Sequence, residues 1–544
     1  MRVLLTLICL LLALPVLGVL GAWLVFDAAA WAVLAHQAQT VLAGYVLESL
    51  LLAVFVGLGV AALGGGAAAA VALFEFPGRR LFEWALLLPM AMPAYVLAYV
   101  YTDFLQFSGP LQSALRGLTG LEGALWPDVR SLPGAVVLFV LCLYPYVYLL
   151  VRTALAERGV QMMEAARLLG AGLWRRIGAV ALPLSRPALA AGVALALMET
   201  LADYGVGAYF GLTTFSTGIY KAWLVMNDRI AAAQLASLLL LVVAAILWAE
   251  RRARRHLRFA SSRSSPMLHG DEGRAVVLRG RLALLAWGLC ALPVVLGFAL
   301  PLVLLARLVW QEASFGAFGL PLARFAQWCL TSFQLAATAA LLAAALAVAL
   351  AFALRVAASR ADRGWRTRAL NAAVRTVSLG YALPGAVIAV GILLPVAAVQ
   401  ALWPAAPLSA IVTGSVAGLL YAYLVRFSAV ALQSLEAGYD RLPTSLDDSA
   451  RMLGASRARL LGEVHLPLLR RSVLAAALLV FVDVMKELPA TLVLRPFNSD
   501  TLAVVAYNLA RDERLAEAAL PSLAIVAVGL LPVWLLSRAM RRDN

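Results

Sequence analysis

Charge is what this chain has least of. Of its 544 residues, 13% are Asp, Glu, Lys or Arg and 63% are hydrophobic, and the mean hydropathy is +0.90. A soluble domain carries about 25% charged residues, so a fully water-facing surface is excluded and lipid must be the solvent for much of the chain. Lysine is nearly missing, with only Lys221 and Lys486. The net charge of +15 therefore comes from arginine, gathered in particular loops. That distribution fits the positive-inside bias of membrane proteins and argues against nucleic-acid binding.

Cysteine and histidine are as sparse. Cys9, Cys142, Cys290 and Cys329 show no CxxC spacing, and His36, His256, His269 and His465 stand isolated, so neither a disulfide framework nor a zinc site is indicated. All eight read as packing or loop residues. No GxxxxGK[ST] phosphate loop occurs, so the chain cannot supply ATP hydrolysis itself. No Ser/His/Asp, HExxH or Cys/His constellation marks an enzyme.

What is present is a series of long apolar runs. They fall at about 3–25, 47–73, 81–102, 133–154, 184–204 and 230–249, then at about 282–308, 332–357, 373–395, 407–430, 468–490 and 519–538. At roughly 20 residues per crossing these make about a dozen transmembrane helices. Arginine tests the count. Arg79 and Arg80, the loop with Arg152 to Arg176, the stretch Arg251 to Arg258, Arg355 to Arg368, Arg451 to Arg459, and Arg541 with Arg542 all fall on one side if both termini are cytoplasmic. Residues 26–46 contain no Arg and 396–406 no charge. The run from Val3 is too long for a signal peptide and reads as the first span.

An internal repeat divides the chain. Leu182-Pro183-Leu184-Ser185-Arg186 corresponds to Leu466-Pro467-Leu468-Leu469-Arg470 at an offset of 284 residues, and Pro93-Ala94-Tyr95 resembles Pro384-Gly385-Ala386. The reading is a first half at 1–249, a basic cytoplasmic linker at 250–281 and a second half at 282–544, each half with six spans. The linker mixes Arg, Ser and Gly, as a solvated tether does; lipid headgroups are its only other expected contact.

Within each half, the long loop after the fourth span (about 155–183 and 432–467) carries one pattern. The first copy reads Glu164-Ala165-Ala166-Arg167-Leu168-Leu169-Gly170 and closes with Leu182-Pro183; the second reads Asp448-Ser449-Ala450-Arg451-Met452-Leu453-Gly454 and closes with Leu466-Pro467. Acid to Gly and acid to Pro are equally spaced in both. The pattern predicts a short helix built to dock. Small side chains admit a partner's backbone, and the acid sits near the helix start, at the positive end of the dipole. Glycine turns the chain, and proline opens the next membrane helix.

With these two loops the sequence closely resembles the inner-membrane permeases of binding-protein-dependent ABC importers, whose cytoplasmic EAA loop ends in LP and docks on an ATPase subunit. The second copy departs by Asp448 for Glu and Ser449 for Ala, so the two contacts need not be equal. Met198-Glu199-Thr200-Leu201-Ala202-Asp203-Tyr204-Gly205 and Lys486-Glu487-Leu488-Pro489-Ala490-Thr491 resemble the fused iron(III) permeases in particular; fused thiamine permeases look similar. The resemblance implies an all-α polytopic membrane protein of the type I importer permease fold in a bacterial inner membrane. It implies one copy per complex, two ABC ATPase subunits and an extracytoplasmic solute-binding protein, here ferric-binding. ATP and magnesium would be used by the partner; no cofactor or metal is expected on this chain. A twelve-span secondary transporter driven by an ion gradient is the rival from a different class, and it does not account for the paired loops.

Ionisable residues inside spans are costly and usually face a cavity, which makes Glu199, Asp203, Asp483, Lys486 and Glu487 the candidate translocation residues. Glu199 and Asp203, four apart, are expected on one helix face, with Asp483 and Glu487 at the matching positions. An acidic mouth would favour a cation. Lys486 can instead pair with Asp483 one turn back.

Overall fold

The computed structural model describes residues 2–24, 28–255, 276–316, 320–359, 364–405 and 407–542. Its helices in the first half are α1 Arg2–Gly21, α2 Ala28–Thr40, α3 Leu42–Leu73, α4 Arg79–Ala85, α5 Ala94–Leu105, α6 Pro110–Thr119, α7 Leu132–Leu168, α8 Leu173–Arg176, α9 Leu182–Ala202, α10 Gly205–Phe210, α11 Phe215–Tyr220 and α12 Arg229–Arg255. The second half has α13 Arg281–Val294, α14 Leu300–Phe315, α15 Leu322–Ser359, α16 Trp365–Val377, α17 Gly385–Leu402, α18 Leu408–Gly414, α19 Val416–Tyr439, α20 Thr444–Met452, α21 Arg457–Arg459, α22 Leu466–Lys486, α23 Pro489–Leu494, α24 Leu502–Arg511 and α25 Leu515–Arg542. Most of the expected linker, residues 256–275, lies outside the described residues. Where the chain returns, Val276–Val277 (β2) pairs in parallel with Phe74–Glu75 (β1).

Ten of the described helices are long and apolar enough to cross a membrane, or eleven if one bent pair forms a single span. This revises the expected dozen at two places. The run at 81–102 is broken, its segments Arg79–Ala91 and Ala94–Thr119 meeting at 89°. Pro93 stands at the break in an extended conformation and has no N–H to continue the ladder. The run at 468–490 forms α22, 21 residues long. It carries Arg470, Arg471, Asp483 and Lys486, too many charges for a span recognised by composition.

The chain packs into two compact units, and they are not the two sequence halves. One unit comprises residues 1–38, 218–238 and 321–505, the other 39–217, 239–320 and 506–544. In the first, α15 packs along α19 and α22, and α1 from the opposite sequence half lies on α16 and α17. In the second, α3 packs along α7 and α9, while α13, α14 and α25 from the later half join α3 and α5. Segments are thus exchanged between the repeats.

The α1–α17 crossing shows what permits the exchange. A Cβ at Gly18 would stand 2.5 Å from the Gly391 carbonyl oxygen, and one at Gly391 2.1 Å from the carbonyl of Pro15. With no hydrophobic drive between helices in lipid, such close backbone approach supplies the dispersion contact that holds them.

Three π-helical turns, Ile177–Ala181, Val295–Ala299 and Leu460–His465, each stand two residues before a proline: Pro183, Pro301 and Pro467. In an α-helix the proline ring collides with the carbonyl four residues back. Widening the turn removes that collision and lets the helix continue, as π-bulges do. As expected from sequence, Pro183 and Pro467 stand in the first turn of α9 and α22, but each of those helices follows a π-turn without a break. The continuous helical stretches themselves begin earlier, at α8 and α21.

Candidate functional site

The two repeated segments adopt one backbone geometry. At the end of α7 the Gly170 N–H donates to the Arg167 carbonyl at 2.9 Å and the Ala171 N–H to the Ala166 carbonyl at 3.0 Å. At the end of α20 the Gly454 N–H donates to Arg451 at 2.9 Å and the Ala455 N–H to Ala450 at 3.0 Å. Each is a Schellman cap, with its glycine in the left-handed region; φ is +79° at both Gly170 and Gly454. The caps satisfy carbonyls that the helix end leaves open, and they reverse the chain sharply enough to leave a projecting tip.

That tip is apolar. Leu168 and Leu169 are 85% and 89% exposed, and their counterparts Met452 and Leu453 are 89% and 87% exposed. Two adjacent large apolar side chains stand open at a charged turn, twice at the same repeat position, which makes the tips candidate contact surfaces. Glu164 and Ala165 are exposed on the same segment with Ala166 half-buried, as are Asp448 and Ser449 with Ala450. Asp448 receives Arg451 at 3.4 Å.

The two copies differ in how the segment is made. Glu164 lies near the C-terminal end of α7, a helix of 37 residues that runs on past the span Leu132–Ala156. It is not near a helix start, contrary to expectation. In the second copy Pro443, extended at φ −63° and ψ 144°, breaks the helix and restarts it as α20, so Asp448 lies in the middle of a nine-residue helix. The residue 284 positions before Pro443 is Gly159, which leaves the ladder intact.

Behind the second segment lies a cluster that the sequence did not reveal. Asp447, buried, accepts from Arg355 Nε at 2.9 Å and stands 3.0 Å from His465 Nε2; His465 Nδ1 is 3.1 Å from Tyr439 Oη. Arg355 also donates to the Leu442 carbonyl at 2.9 Å. Burial pushes the Asp447 carboxyl up, but the hydrogen bonds and charges of Arg355 and His465 pull it down further, to a value below the usual carboxylate range. His465 is thus not the isolated residue its sequence context suggests. Its partners Asp447 and Tyr439 lie 18 and 26 residues away along the chain, and Arg355 joins Asp447 from 92 residues away, so no local motif links them.

The candidate translocation residues are only partly brought together. α9 ends at Ala202 and α22 at Lys486, so Asp203 and Glu487 sit beyond the helices in extended backbone. Glu199 and Asp203 therefore do not share a helix face. The cause is local capping, which competes with helix continuation. Asp203 Oδ1 accepts the Val206 N–H at 2.8 Å, and Glu487 Oε1 accepts the Ala490 N–H at 2.9 Å. Glu487 is buried; it also accepts the Thr491 N–H at 3.0 Å and pairs with Arg426 at 3.4 Å. Its lone pairs are taken up by structure. Asp483 and Lys486 pair at 3.9 Å. Glu199 and Asp483 remain half-buried.

Within the unit that holds α5, α7, α14 and α25, a polar cavity of about 420 Å³ is lined by Asp103, Arg130, Glu312, Glu513, Arg514 and Glu517 among others. No three or more His, Cys, Asp or Glu side chains among the described residues are placed to hold a metal ion.

The family model of the binding-protein-dependent transport system inner membrane component matches residues 61–258 and again 356–542, so each match contains one copy of the repeated segment. The chain belongs to this family. It is a permease subunit of an ABC importer, not an enzyme, and it carries the family unit twice. Among relatives, the Fe(3+)-transport system permease protein FbpB 2 of Haemophilus influenzae is 23% identical over 502 residues, 90% of this permease and 89% of the relative. The putative 2-aminoethylphosphonate permease PhnU of Salmonella paratyphi A is 27% identical over 36% of this chain and 68% of its own. The molybdenum permease ModB of Escherichia coli is 31% identical over 25% of this chain and 57% of its own.

Proposed function

We propose that this permease translocates ferric iron, handed over by an extracytoplasmic binding protein, across a bacterial inner membrane. The support is the likeness to the Fe(3+) permease, which runs through both halves, whereas the likenesses to phosphonate and molybdenum permeases cover about a third of the chain or less. Both termini and the linker 250–281 lie in the cytoplasm on this reading, with permease halves at 1–249 and 282–544. One copy binds two ATPase subunits through the segments at Glu164–Gly170 and Asp448–Gly454, and ATP and magnesium act there, not on this chain. Closure of the ATPases rocks the bundle between outward and inward access.

Ferric iron is cargo here. A path must bind weakly enough to release, which suits half-buried carboxylates such as Glu199 and Asp483 better than the buried Glu487. The test is uptake of isotope-labelled ferric iron by vesicles containing the permease, its ATPase and its binding protein, with thiamine, 2-aminoethylphosphonate and molybdate as alternatives. ATP-dependent iron uptake, reduced by Glu199→Gln with Asp483→Asn in an assembled complex, supports the reading. Uptake of another of these solutes in place of iron refutes it.

A further inference from the structure

The two docking segments are fastened to their bundles by different forces. Asp447 precedes the second segment's exposed face and points inward, and its two oxygens reach two elements at once. One takes Arg355 from α15, the other faces His465 of the π-turn that leads into α22. Through His465 the contact extends to Tyr439 at the end of α19, and through Arg355 to the Leu442 carbonyl in the turn after α19. The His465 ring also packs edge-on against Phe352 of α15 and Tyr439, with centroids 5.5 and 5.3 Å away. One carboxylate thereby ties the docking helix to the three helices that pack together in this unit.

At the 284-residue offset the first copy has Met163 for Asp447, Ala181 for His465 and Leu155 for Tyr439. All three are buried, at 4%, 3% and 1% exposure. The sites correspond in burial and differ in chemistry. Apolar contact resists separation but slides, because dispersion is non-directional and each atom pair contributes little. A buried carboxylate with charge-assisted bonds resists displacement in every direction, since loosening it leaves charges unpaired.

We propose that Asp447, His465 and Arg355 form a transmission clamp: positioning residues through which motion of the second docking segment, separated from α19 by the break at Pro443, is passed rigidly to α15, α19 and α22, the task that the unbroken α7 performs for the first segment. This rests on the docking reading above. It makes coupling at the second ATPase contact depend on these side chains, where the first depends on a continuous helix.

The test grafts the first copy's residues onto the second. Asp447→Met, His465→Ala and Tyr439→Leu, with Arg355→Met so that no buried charge is stranded, are combined in the full complex with ATPase and binding protein. Three quantities are read: ATPase retained on purification, ATP hydrolysed and solute taken up. Retained ATPase and continuing hydrolysis, with uptake per ATP down about 5-fold or more, the lower end of ordinary coupling energies, support the clamp. Unchanged uptake per ATP overturns it. Loss of the ATPase from the variant alone also overturns it, because the cluster then serves docking. Failure of the unaltered permease to hold an ATPase sinks the docking reading and the clamp together. If the fourfold variant does not reach the membrane, His465→Ala and His465→Gln decide the matter: Gln can bond both neighbours and should restore coupling that Ala loses. Equal coupling in the two contradicts the clamp.

Discussion

Gly170 and Gly454, 284 residues apart, share a φ of +79° and the same pair of capping hydrogen bonds. A side chain at either would force a left-handed conformation that costs about 1–2 kcal/mol, although no neighbouring atom would obstruct it. Gly→Ala at either position should therefore act by bending the docking tip and not by crowding it. The expected outcome is weaker retention of the ATPase on affinity purification, with little change in permease melting temperature. A melting loss as large as that of a core variant would contradict this.

Glu487 gives the opposite expectation. Its carboxylate holds the Arg426 guanidinium inside the bundle and caps α23. Breaking such a pair from one side costs about 3–5 kcal/mol, whereas removing both charges costs much less. Glu487→Gln should lower the detergent-solubilised permease's melting temperature markedly, and Glu487→Gln with Arg426→Met should recover part of the loss. A Glu487→Gln protein of normal stability that fails to transport would instead make this residue part of the path.

Asp447 carries a pH signature. Its folded-state carboxyl titrates below the ordinary value, so it binds fewer protons folded than unfolded across the intervening range. The stability it contributes is complete above the unfolded value of about 3.9 and falls away as pH drops through the lower folded value. The difference in melting temperature between the permease and Asp447→Asn should shrink as the pH falls below about 4. A gap that keeps growing below that pH would contradict the geometry around Arg355 and His465.

The exchange of α1 onto α16 and α17 depends on Gly391. A Cβ there would meet the Pro15 carbonyl carbon at 2.6 Å as well as its oxygen, and overpacking of this kind costs typically about 1–3 kcal/mol. Gly391→Ala should make α1 separable, seen as faster proteolysis between α1 and α2 and as a lower melting temperature. An unchanged digestion pattern would show that the crossing can relax.

Much of this molecule is legible in the sequence because lipid imposes a coarse code. Apolar runs and arginine-rich loops place most of the spans, and the motif repeated at Glu164 and Asp448 marks both candidate docking segments by its spacing alone. What stays hidden has physical reasons. The exchanged helices depend on glycines such as Gly18, whose close approach is invisible without its partner Gly391. The helix ends at Ala202 and Lys486 are set by side-chain caps that override periodicity. The Asp447 cluster draws on Arg355 and His465 from distant positions, and a lone histidine in a sequence carries no trace of a carboxylate 3.0 Å from its ring.

The most direct test of the whole account is cross-linking from the two tips. Leu169→Cys and Leu453→Cys are introduced separately into a permease whose Cys9, Cys142, Cys290 and Cys329 are replaced by Ser, and a short bifunctional reagent is applied to the complex with its ATPase. Each tip should trap one ATPase copy, and both together should trap two per permease, with ATP altering the yield. An assembled, transporting complex in which neither tip reaches an ATPase would contradict the account at its centre.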